Sequence, residues 1–511
     1  MGFSADIVLK NGKIISYNID SKNPVFYDAL AIKFGIILEV GTYQEVKYLV
    51  GTKTHVIDLQ GKTVIPGFID SHMHIMSLGF NSLRLDLSNT ESIEEVLALI
   101  EKEAKKMGEN QWIIGSRWDE SKWKERRYIT REELDKVAPN NPVFLIRICG
   151  HMGVGNTKAI KILGLDPNRE EYKNGFFKED KLEMVRRRIK PDEETQLEAF
   201  RLATKKSLDL GVTSIHNSTN ISTLQRFIKG QKNMSNNIRI YAMIWNEYFK
   251  NIKDSGITTG FGSNFLRIGA IKLMCDGSVG ARTAAFFEPY VDDPKNKGQL
   301  LFSDNDLNVL ITMAHRDNFQ LAVHAIGDRA IEQILEKYEE VIKAYPREGR
   351  HRIEHFEFPT EDQLTRVKRA KIIASMQPNF VGNWSDFGGL YEQRLGRERL
   401  LRNNPYREII DMGIPLAFGS DGMPFDPIYG IWSAVNHPIK EHRITPFEAL
   451  KAYTINGAYA SFEENIKGSI EEGKIADLTI LSDNILEVPH KDIRKIKALG
   501  VIVSGKIARS F

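Results

Sequence analysis

Two histidines separated by a single residue, His72 and His74, end the segment PGFIDSHMH at residues 66–74. Side chains at positions i and i+2 of a strand lie on the same face. If residues 64–69 form a strand and the chain stays extended after it, both imidazoles lie at its carboxyl end, where they suit one divalent metal. The same spacing also occurs in two hydrogen-bonded histidines at a strand end, so the motif needs support from the rest of the chain.

More polar residues stand at or just beyond the carboxyl ends of apolar, strand-like segments. They are Lys272 in IKLMCDGS, His324 in LAVHAIGD, His355 in RIEHFEFP and Asp421 in AFGSDGMP. With His72 and His74 they make a set of four histidines, one lysine and one aspartate. Their shared position, more than their identity, indicates a common site.

The elements that must position this set alternate along the middle of the chain. Most of the strand-like segments are followed by amphipathic segments of helix length. The strand-like segments are residues 63–70, 212–216, 238–244, 266–274, 320–324, 352–355, 372–376 and 415–419. Eight strands alternating with helices predict a (β/α)8 TIM barrel, an α/β fold whose active site lies at the carboxyl ends of the strands.

The predicted barrel occupies residues 63–465 and leaves three other regions to explain. Residues 1–62 and 466–511 contain short strands with tight turns, and we expect the two chain ends to pair in one small β-sandwich domain. Residues 81–210 separate the first two barrel strands by far more than a loop length. We therefore predict an inserted α+β substructure there, which would cover the site at the barrel mouth.

Composition excludes several classes of partner. The 511 residues carry 70 Lys and Arg against 67 Asp and Glu, a formal net charge of +3, so neither nucleic acid nor a membrane is expected as the main partner. The first residues lack a signal-peptide pattern, and we expect a cytoplasmic protein. The two cysteines, Cys149 and Cys275, offer no thiolate metal site, so any metal must be bound by nitrogen and oxygen atoms.

These motifs resemble those of the amidohydrolase superfamily, and more narrowly its amidohydrolase-3 branch, which includes N-substituted formamide deformylase. The similarity rests on PGFIDSHMH, on DGSVGARTAAFFEPY at residues 276–290, on HAIGDRA and on GSIEEGKIADLTIL. The resemblance implies one or two divalent ions, zinc by default, with iron, manganese and cobalt left open. The implied ligands are His72, His74, Lys272, His324, His355 and Asp421.

The resemblance also implies roles for individual residues. Lys272 would be carboxylated and bridge the metals, although a buried lysine in an ion pair is the alternative. Asp421 would bind one metal, take the proton of the attacking water and pass it to the leaving amine. His151 would contact the substrate or an oxyanion, although ordinary hydrogen-bonded burial is the alternative. Relatives of this kind often pair, so a homodimer is expected.

Candidate substrate contacts are less specific. Trp118, Asp119, Glu179 and Gln377 could line a pocket for a small molecule. Each also fits a plainer role: packing for Trp118 and Asp119, a solvated charge for Glu179, and loop capping for Gln377.

The sequence thus predicts a metal-dependent hydrolase of non-peptide carbon–nitrogen bonds in an amide, formamide or cyclic amide. Two alternatives remain open. The same site could hydrolyse an ester, lactone or phosphoester, because metal-activated water does not select the leaving group by itself. A non-catalytic, metal-free scaffold or binding protein is the alternative from another class.

Overall fold

The computed structural model describes residues 4–147, 152–178, 180–189, 191–233 and 237–510. The chain forms two compact units. The barrel unit consists of residues 1–75 and 204–511, and the inserted unit consists of residues 76–203.

Eight parallel strands form one sheet in the barrel unit, and each strand pairs with the next along the chain. They are Phe68–Met73, Val212–Thr219, Arg239–Trp245, Leu266–Met274, Leu321–Ala325, Arg352–His355, Ile373–Met376 and Leu416–Phe418. Just beyond the eighth strand, the backbone N–H of Asp421 donates to the His72 carbonyl at 2.8 Å, which brings the two edges of the sheet together. The predicted eight-stranded parallel barrel is confirmed as a nearly closed sheet.

Helices follow most of these strands because apolar residues recur on one helix face. In helix Asp328–Ala344, for example, Ile331, Ile334, Leu335 and Tyr338 are all buried. The α-helices that lie wholly in this unit are Tyr43–Val46, Ile221–Asn233, Phe249–Asp254, Asp304–Arg316, Asp328–Ala344, Glu361–Ala370, Pro378–Trp384, Leu390–Leu400, Tyr406–Asp411, Pro427–Val435, Pro446–Ala452 and Ile455–Ala460. Short 3-10 helices span Lys47–Leu49, Asn246–Tyr248, Lys440–His442 and His490–Lys495. No helix in the described ranges is long and apolar enough to cross a membrane.

Two further sheets of the barrel unit combine both ends of the chain. The four-stranded sheet has the order Ile36–Gly41, Ala29–Lys33, Ile7–Lys10, His55–Asp58. The six-stranded sheet has the order Lys506–Arg509, Ala498–Val503, Leu478–Leu481, Thr63–Pro66, Lys13–Ser16, Val25–Tyr27. One hydrophobic core contains side chains of both sheets, including Leu9, Val64 and Leu478.

The structure divides the predicted strand at residues 63–70 into two strands that belong to different sheets. Thr63–Pro66 lies in the six-stranded sheet, and Phe68–Met73 is the first barrel strand. The change of sheet occurs at Gly67, where a Cβ atom would lie 2.3 Å from the Thr213 hydroxyl oxygen. Only a residue without a side chain fits this close approach of the Gly67 backbone to the Thr213 side chain.

The inserted unit has its own mixed sheet and its own core. Its strands, in sheet order, are Phe176–Lys178, Met152–Gly155, Val143–Arg147, Ile113–Trp118 and Leu85–Asp86. Its α-helices are Ile93–Ala104, Arg131–Val137, Thr157–Ile162 and Asp180–Arg188, its 3-10 helices are Glu120–Lys122 and Glu170–Tyr172, and helices Ile75–Leu83 and Glu193–Asp209 run across its boundaries. Helices and strands therefore occur together here, as expected of an α+β substructure.

Candidate metal centre

Three predicted ligands come together at the carboxyl ends of the barrel strands. One side-chain atom each of His72, His355 and Asp421 lies within 4.8 Å of the other two, and this is the group of potential metal ligands found among the described residues. The two histidines are buried, with 1% and 3% of their surface exposed. The barrel thus brings residues from the first, sixth and eighth strand ends to one point.

The first strand and the chain after the eighth strand are joined directly behind this group. Asp70 accepts hydrogen bonds from the Ser420 hydroxyl at 2.5 Å, the Ser420 N–H at 3.0 Å and the His72 N–H at 3.1 Å. A Cβ atom at Gly419 would lie 2.3 Å from the His72 nitrogen. These contacts fix the distance between His72 and Asp421.

His355 and Asp421 both have left-handed backbone conformations, with φ of 73° and 51°. Residues other than glycine adopt this conformation at a cost, and such residues cluster at functional sites. The ring of His355 stacks on Phe380, with centroids 5.8 Å apart and planes 19° apart. Its Nδ1 atom is buried and has no hydrogen-bond partner among the described residues.

Two other predicted histidines lie beside this group. His74 Nε2 is 3.4 Å from Asp421 Oδ1, and the His324 and His355 ring centroids are 4.3 Å apart. His324 Nε2 lies 3.0 Å from the Gly277 carbonyl oxygen, which can only accept, so the ring donates its proton there and keeps a lone pair on Nδ1. His74 can therefore supply a ligand atom next to Asp421, and His324 can supply one beside His355.

Lys272 is the remaining member of the predicted set and lies on the fourth strand. It is 1% exposed, and its Nζ donates to the Leu273 carbonyl at 3.3 Å. Burial lowers the pKa of Lys272 to about 8, although the carboxylates of Glu354 and Asp421 oppose the shift. A substantial fraction of the Lys272 amine is therefore neutral near pH 8.

Asp421 is the group in the cluster best suited to carry a proton. Burial raises the pKa of Asp421 to about 7; the Lys272 ammonium opposes this shift, and the carboxylates of Asp70 and Glu354 add to it. Burial also lowers the pKa of His72 to about 4, against the attraction of Glu354. At neutral pH the cluster therefore has a neutral imidazole next to a carboxyl group that can gain or lose a proton.

Several important residues were missed at the level of sequence. Glu354 lies 2.5 Å from His72 Nδ1, Arg352 pairs with Glu354, and both are fully buried. The alternation in RIEH, with charged residues two positions apart directly before His355, was the available signal. Asp276 was also missed; it lies 3.3 Å from His324 Nε2.

The candidate substrate residues have varied positions. Trp118 is fully buried in the core of the inserted unit and stacks on Trp123 at 5.4 Å. Asp119, in the same unit, lies 3.9 Å from the Arg147 guanidinium. Gln377 is 1% exposed, and its Oε1 has no hydrogen-bond partner in the described part of the chain. Packing thus accounts for the position of Trp118, and a substrate role for these three residues stays a prediction.

His151 and Glu179 lie outside the described residues.

Comparison with known proteins agrees with this geometry. A sequence model of an amidohydrolase family, the amidohydrolase-3 branch expected above, matches residues 55–509. The chain belongs to the amidohydrolase family. It is 30% identical to a putative amidohydrolase, YtcJ, of Bacillus subtilis, over 94% of this chain and 95% of that protein. It is 26% identical to an N-substituted formamide deformylase of Arthrobacter pascens, over 98% of this chain and 97% of that protein.

Two solved structures of metal-dependent hydrolases are also similar to this chain. An uncharacterized metal-dependent hydrolase from Pyrococcus furiosus has a TM-score of 0.83 and 30% identity, and the match covers 94% of this chain and all of that chain. A hydrolase with the same description from Pyrococcus horikoshii has a TM-score of 0.82 at 30% identity, over 95% of this chain and 99% of that one. The amidohydrolase fold predicted from the motifs is therefore supported along nearly the whole chain.

Proposed function

We propose that this amidohydrolase is a metal-dependent hydrolase that cleaves a non-peptide carbon–nitrogen bond of a small amide, formamide or cyclic amide. The observation that carries the proposal is the cluster of His72, His355 and Asp421, whose ligand atoms lie within 4.8 Å of one another. We further propose that the protein is cytoplasmic and forms a homodimer; size-exclusion chromatography with light scattering would test the homodimer.

The donor atoms of the cluster fit a divalent cation. His72 donates its Nδ1 proton to Glu354, so its Nε2 keeps a lone pair and lies 3.9 Å from Asp421 Oδ1. His355 Nδ1 is buried without a hydrogen bond to any described residue, which is costly unless a ligand compensates it. Two neutral imidazoles and a carboxylate are donors that zinc prefers, although other divalent ions accept the same set.

His74, His324 and Lys272 would complete a site for one or two ions. The amine of Lys272 has a lowered pKa of about 8, which leaves it partly neutral. A neutral amine can add carbon dioxide and release a proton, and the resulting carbamate would be an anionic bridging ligand. We propose this form of Lys272 because a lysine ammonium next to a divalent cation would repel it.

We propose a separate role in hydrolysis for each of these residues. A bound metal supplies an activated water and polarises the scissile carbonyl group. Asp421 would take the proton of the attacking water and return it to the leaving nitrogen. Glu354 keeps the ring of His72 in a single orientation. The similarity to the N-substituted formamide deformylase of Arthrobacter pascens supports a carbon–nitrogen bond as the target.

The test combines metal analysis with a substrate panel. Native protein and Asp421→Asn would be analysed for metal by elemental mass spectrometry and assayed on N-substituted formamides, anilides, cyclic amides, esters, lactones and phosphoesters. We expect hydrolysis of amide-type substrates by the native protein, and retained metal with a rate at least 100-fold lower in Asp421→Asn. Asp254→Asn, at an exposed helix residue, is the matched control and should keep the native rate.

Other outcomes would redirect the proposal. Activity restricted to esters, lactones or phosphoesters would refute carbon–nitrogen specificity. A near-native rate in Asp421→Asn would refute the role of Asp421. Absence of bound metal and of any hydrolysis would favour the scaffold alternative.

A further inference from the structure

Glu354 accepts hydrogen bonds from three neighbouring side chains. Its Oε2 atom accepts from His72 Nδ1 at 2.5 Å, from the Ser375 hydroxyl at 2.8 Å and from Arg352 Nη2 at 3.0 Å. Its Oε1 atom accepts from Arg352 Nε at 2.7 Å. All four side chains are at most 1% exposed. These short contacts prevent the carboxylate from rotating.

Arg352 anchors the carboxylate to the rest of the barrel. Beyond Glu354, its guanidinium donates to the Ser71 carbonyl at 2.6 Å, to the Ser375 hydroxyl at 2.8 Å and to His216 Nδ1 at 2.8 Å. These partners lie on the first, seventh and second barrel strands. Arg352 therefore fixes the position of Glu354, which lies on the same strand, relative to three other strands of the sheet.

The contacts determine which nitrogen of His72 carries the proton. An ionised carboxylate can only accept, so the short contact requires a proton on His72 Nδ1. Nε2 then has a lone pair, and it is this atom that faces Asp421. A neutral histidine with the other tautomer could not bind a metal through Nε2.

Glu354 has a second effect, because its negative charge balances the positive charge of Arg352. Arg352 and Glu354 form a buried ion pair, so the pair adds no net charge behind His72. Without the carboxylate, an unpaired guanidinium would remain in a low-dielectric region close to the proposed cation site. Loss of Glu354 should therefore weaken cation binding through both the ring orientation and the local charge.

We infer that Glu354 is a positioning residue for the metal centre: it holds the proton of His72 on Nδ1, and Arg352 and Ser375 hold Glu354 in place for this task. The inference rests on the proposed metal-dependent function. It assigns a role in metal binding to Glu354, Arg352 and Ser375, which are buried and are not themselves metal ligands.

The experiment measures metal affinity instead of activity. Metal-free protein would be titrated with Zn²⁺ in competition with a chromophoric chelator. Glu354→Gln should bind Zn²⁺ about 10- to 100-fold more weakly than native protein, as expected when the carboxylate partner of a ligand histidine is replaced by a neutral amide that can also donate. The matched control is Glu332→Gln, because Glu332 also pairs with an arginine, Arg366 at 2.6 Å, but lies on helix Asp328–Ala344 away from the cluster.

A spectroscopic measurement separates positioning from general destabilisation. In protein labelled with ¹⁵N-histidine, the signals that disappear in His72→Asn identify His72. They should show the Nδ1-protonated tautomer in native protein and a mixture or the other tautomer in Glu354→Gln, and the Glu332→Gln spectrum should match the native one. A purely structural role of Glu354 would leave the tautomer unchanged.

Each result has a defined meaning. Native affinity or a native tautomer in folded Glu354→Gln overturns the inference. If that variant does not fold, Ser375→Ala replaces it, since it removes one hydroxyl from the carboxylate; it should bind Zn²⁺ several-fold more weakly, and native affinity would overturn the inference. If native protein itself binds no Zn²⁺, Co²⁺ or Mn²⁺, the proposed function fails together with the inference.

Discussion

A buried ion pair between the barrel and the terminal sheets offers a strong test of what stabilises the barrel unit. Arg239, at the start of the third barrel strand, donates to Asp477 through Nε at 2.5 Å and Nη2 at 2.9 Å. The two side chains are 2% and 4% exposed. Asp477 directly precedes strand Leu478–Leu481 of the six-stranded sheet. The pair therefore joins two sheets in a region without solvent.

Asp477→Asn should destabilise the protein strongly. It leaves the Arg239 guanidinium buried without its carboxylate partner, next to the Asn264 carbonyl at 2.8 Å and the Ser504 hydroxyl at 2.6 Å. Breaking a buried pair in this way costs about 3–5 kcal/mol, since one charge stays uncompensated. The unfolded fraction should rise roughly 100- to 5,000-fold, at about 1.4 kcal/mol per factor of ten.

Pulse proteolysis in increasing urea measures this change as the folded fraction that remains at each urea concentration. The control is Asp254→Asn, which removes the partner of Lys250 in an exposed pair and should cost at most about 1 kcal/mol. The double variant Arg239→Met with Asp477→Leu should recover most of the loss, because no unpaired charge remains. Equal urea midpoints for Asp477→Asn and Asp254→Asn would refute the reasoning.

Three further predictions concern other parts of the molecule. Gly419→Ala should cost about 1–3 kcal/mol and weaken metal binding, because the new methyl group would press on the His72 backbone. Burial lowers the pKa of His351 well below its usual value, so the folded protein should lose stability as pH drops below about 6.5, where the unfolded chain takes up the proton. His351→Leu should reduce the dependence of the unfolding free energy on pH by up to about 1.4 kcal/mol per pH unit in this range. Hydrogen bonds from Arg127 lower the pKa of Glu133 to about 2. Glu133→Gln should therefore lower the unfolding free energy by about 1 kcal/mol at pH 7. This loss should shrink below about pH 4.5 and vanish below about pH 2.

Urea midpoints at several pH values, together with Zn²⁺ titration for the glycine variant, check these predictions. Gly108→Ala is the control for Gly419→Ala, since its added Cβ would be 3.7 Å from the nearest atom. Equal effects of the two alanine substitutions would contradict the argument for Gly419. A pH-independent cost of Glu133→Gln, or an unchanged acid slope in His351→Leu, would contradict the arguments from hydrogen bonding and burial.

The barrel strands could be predicted because the relevant information is local. Segment 266–274 coincides with strand Leu266–Met274, and segment 352–355 coincides with Arg352–His355. Once the strands alternate with helices, the barrel rule places their carboxyl ends together. The clustering of His72 and Asp421 follows from that rule without knowledge of any distance.

Other features depend on partners far away along the chain. The sequence predicts residues 63–70 as one strand, and the break at Gly67 arises because Thr63–Pro66 pairs with the distant strand Leu478–Leu481. Glu354 is a charged residue in a short strand, and its contacts with the Arg352 guanidinium, the His72 ring and the Ser375 hydroxyl explain why it is buried. Sequence periodicity carries no information about such pairings.

The aromatic stretch of the inserted unit was ambiguous for a different reason. Tryptophans suit both a substrate pocket and a hydrophobic core, because each offers a large apolar surface with one polar atom. Trp118 and Trp123 are both packed in the core of the inserted unit. Composition alone could not separate these possibilities.

The pairing of Thr63–Pro66 with Leu478–Leu481 also affects how the protein is made. The two strands lie more than 400 residues apart, and at about 5–20 residues per second a ribosome needs roughly 20–80 s to travel between them. During that time the apolar amino-terminal strands have an unpaired edge, which can associate with other chains. Delayed synthesis of the last segment should therefore favour aggregation, and a nascent chain halted before residue 478 should need a chaperone to stay in solution.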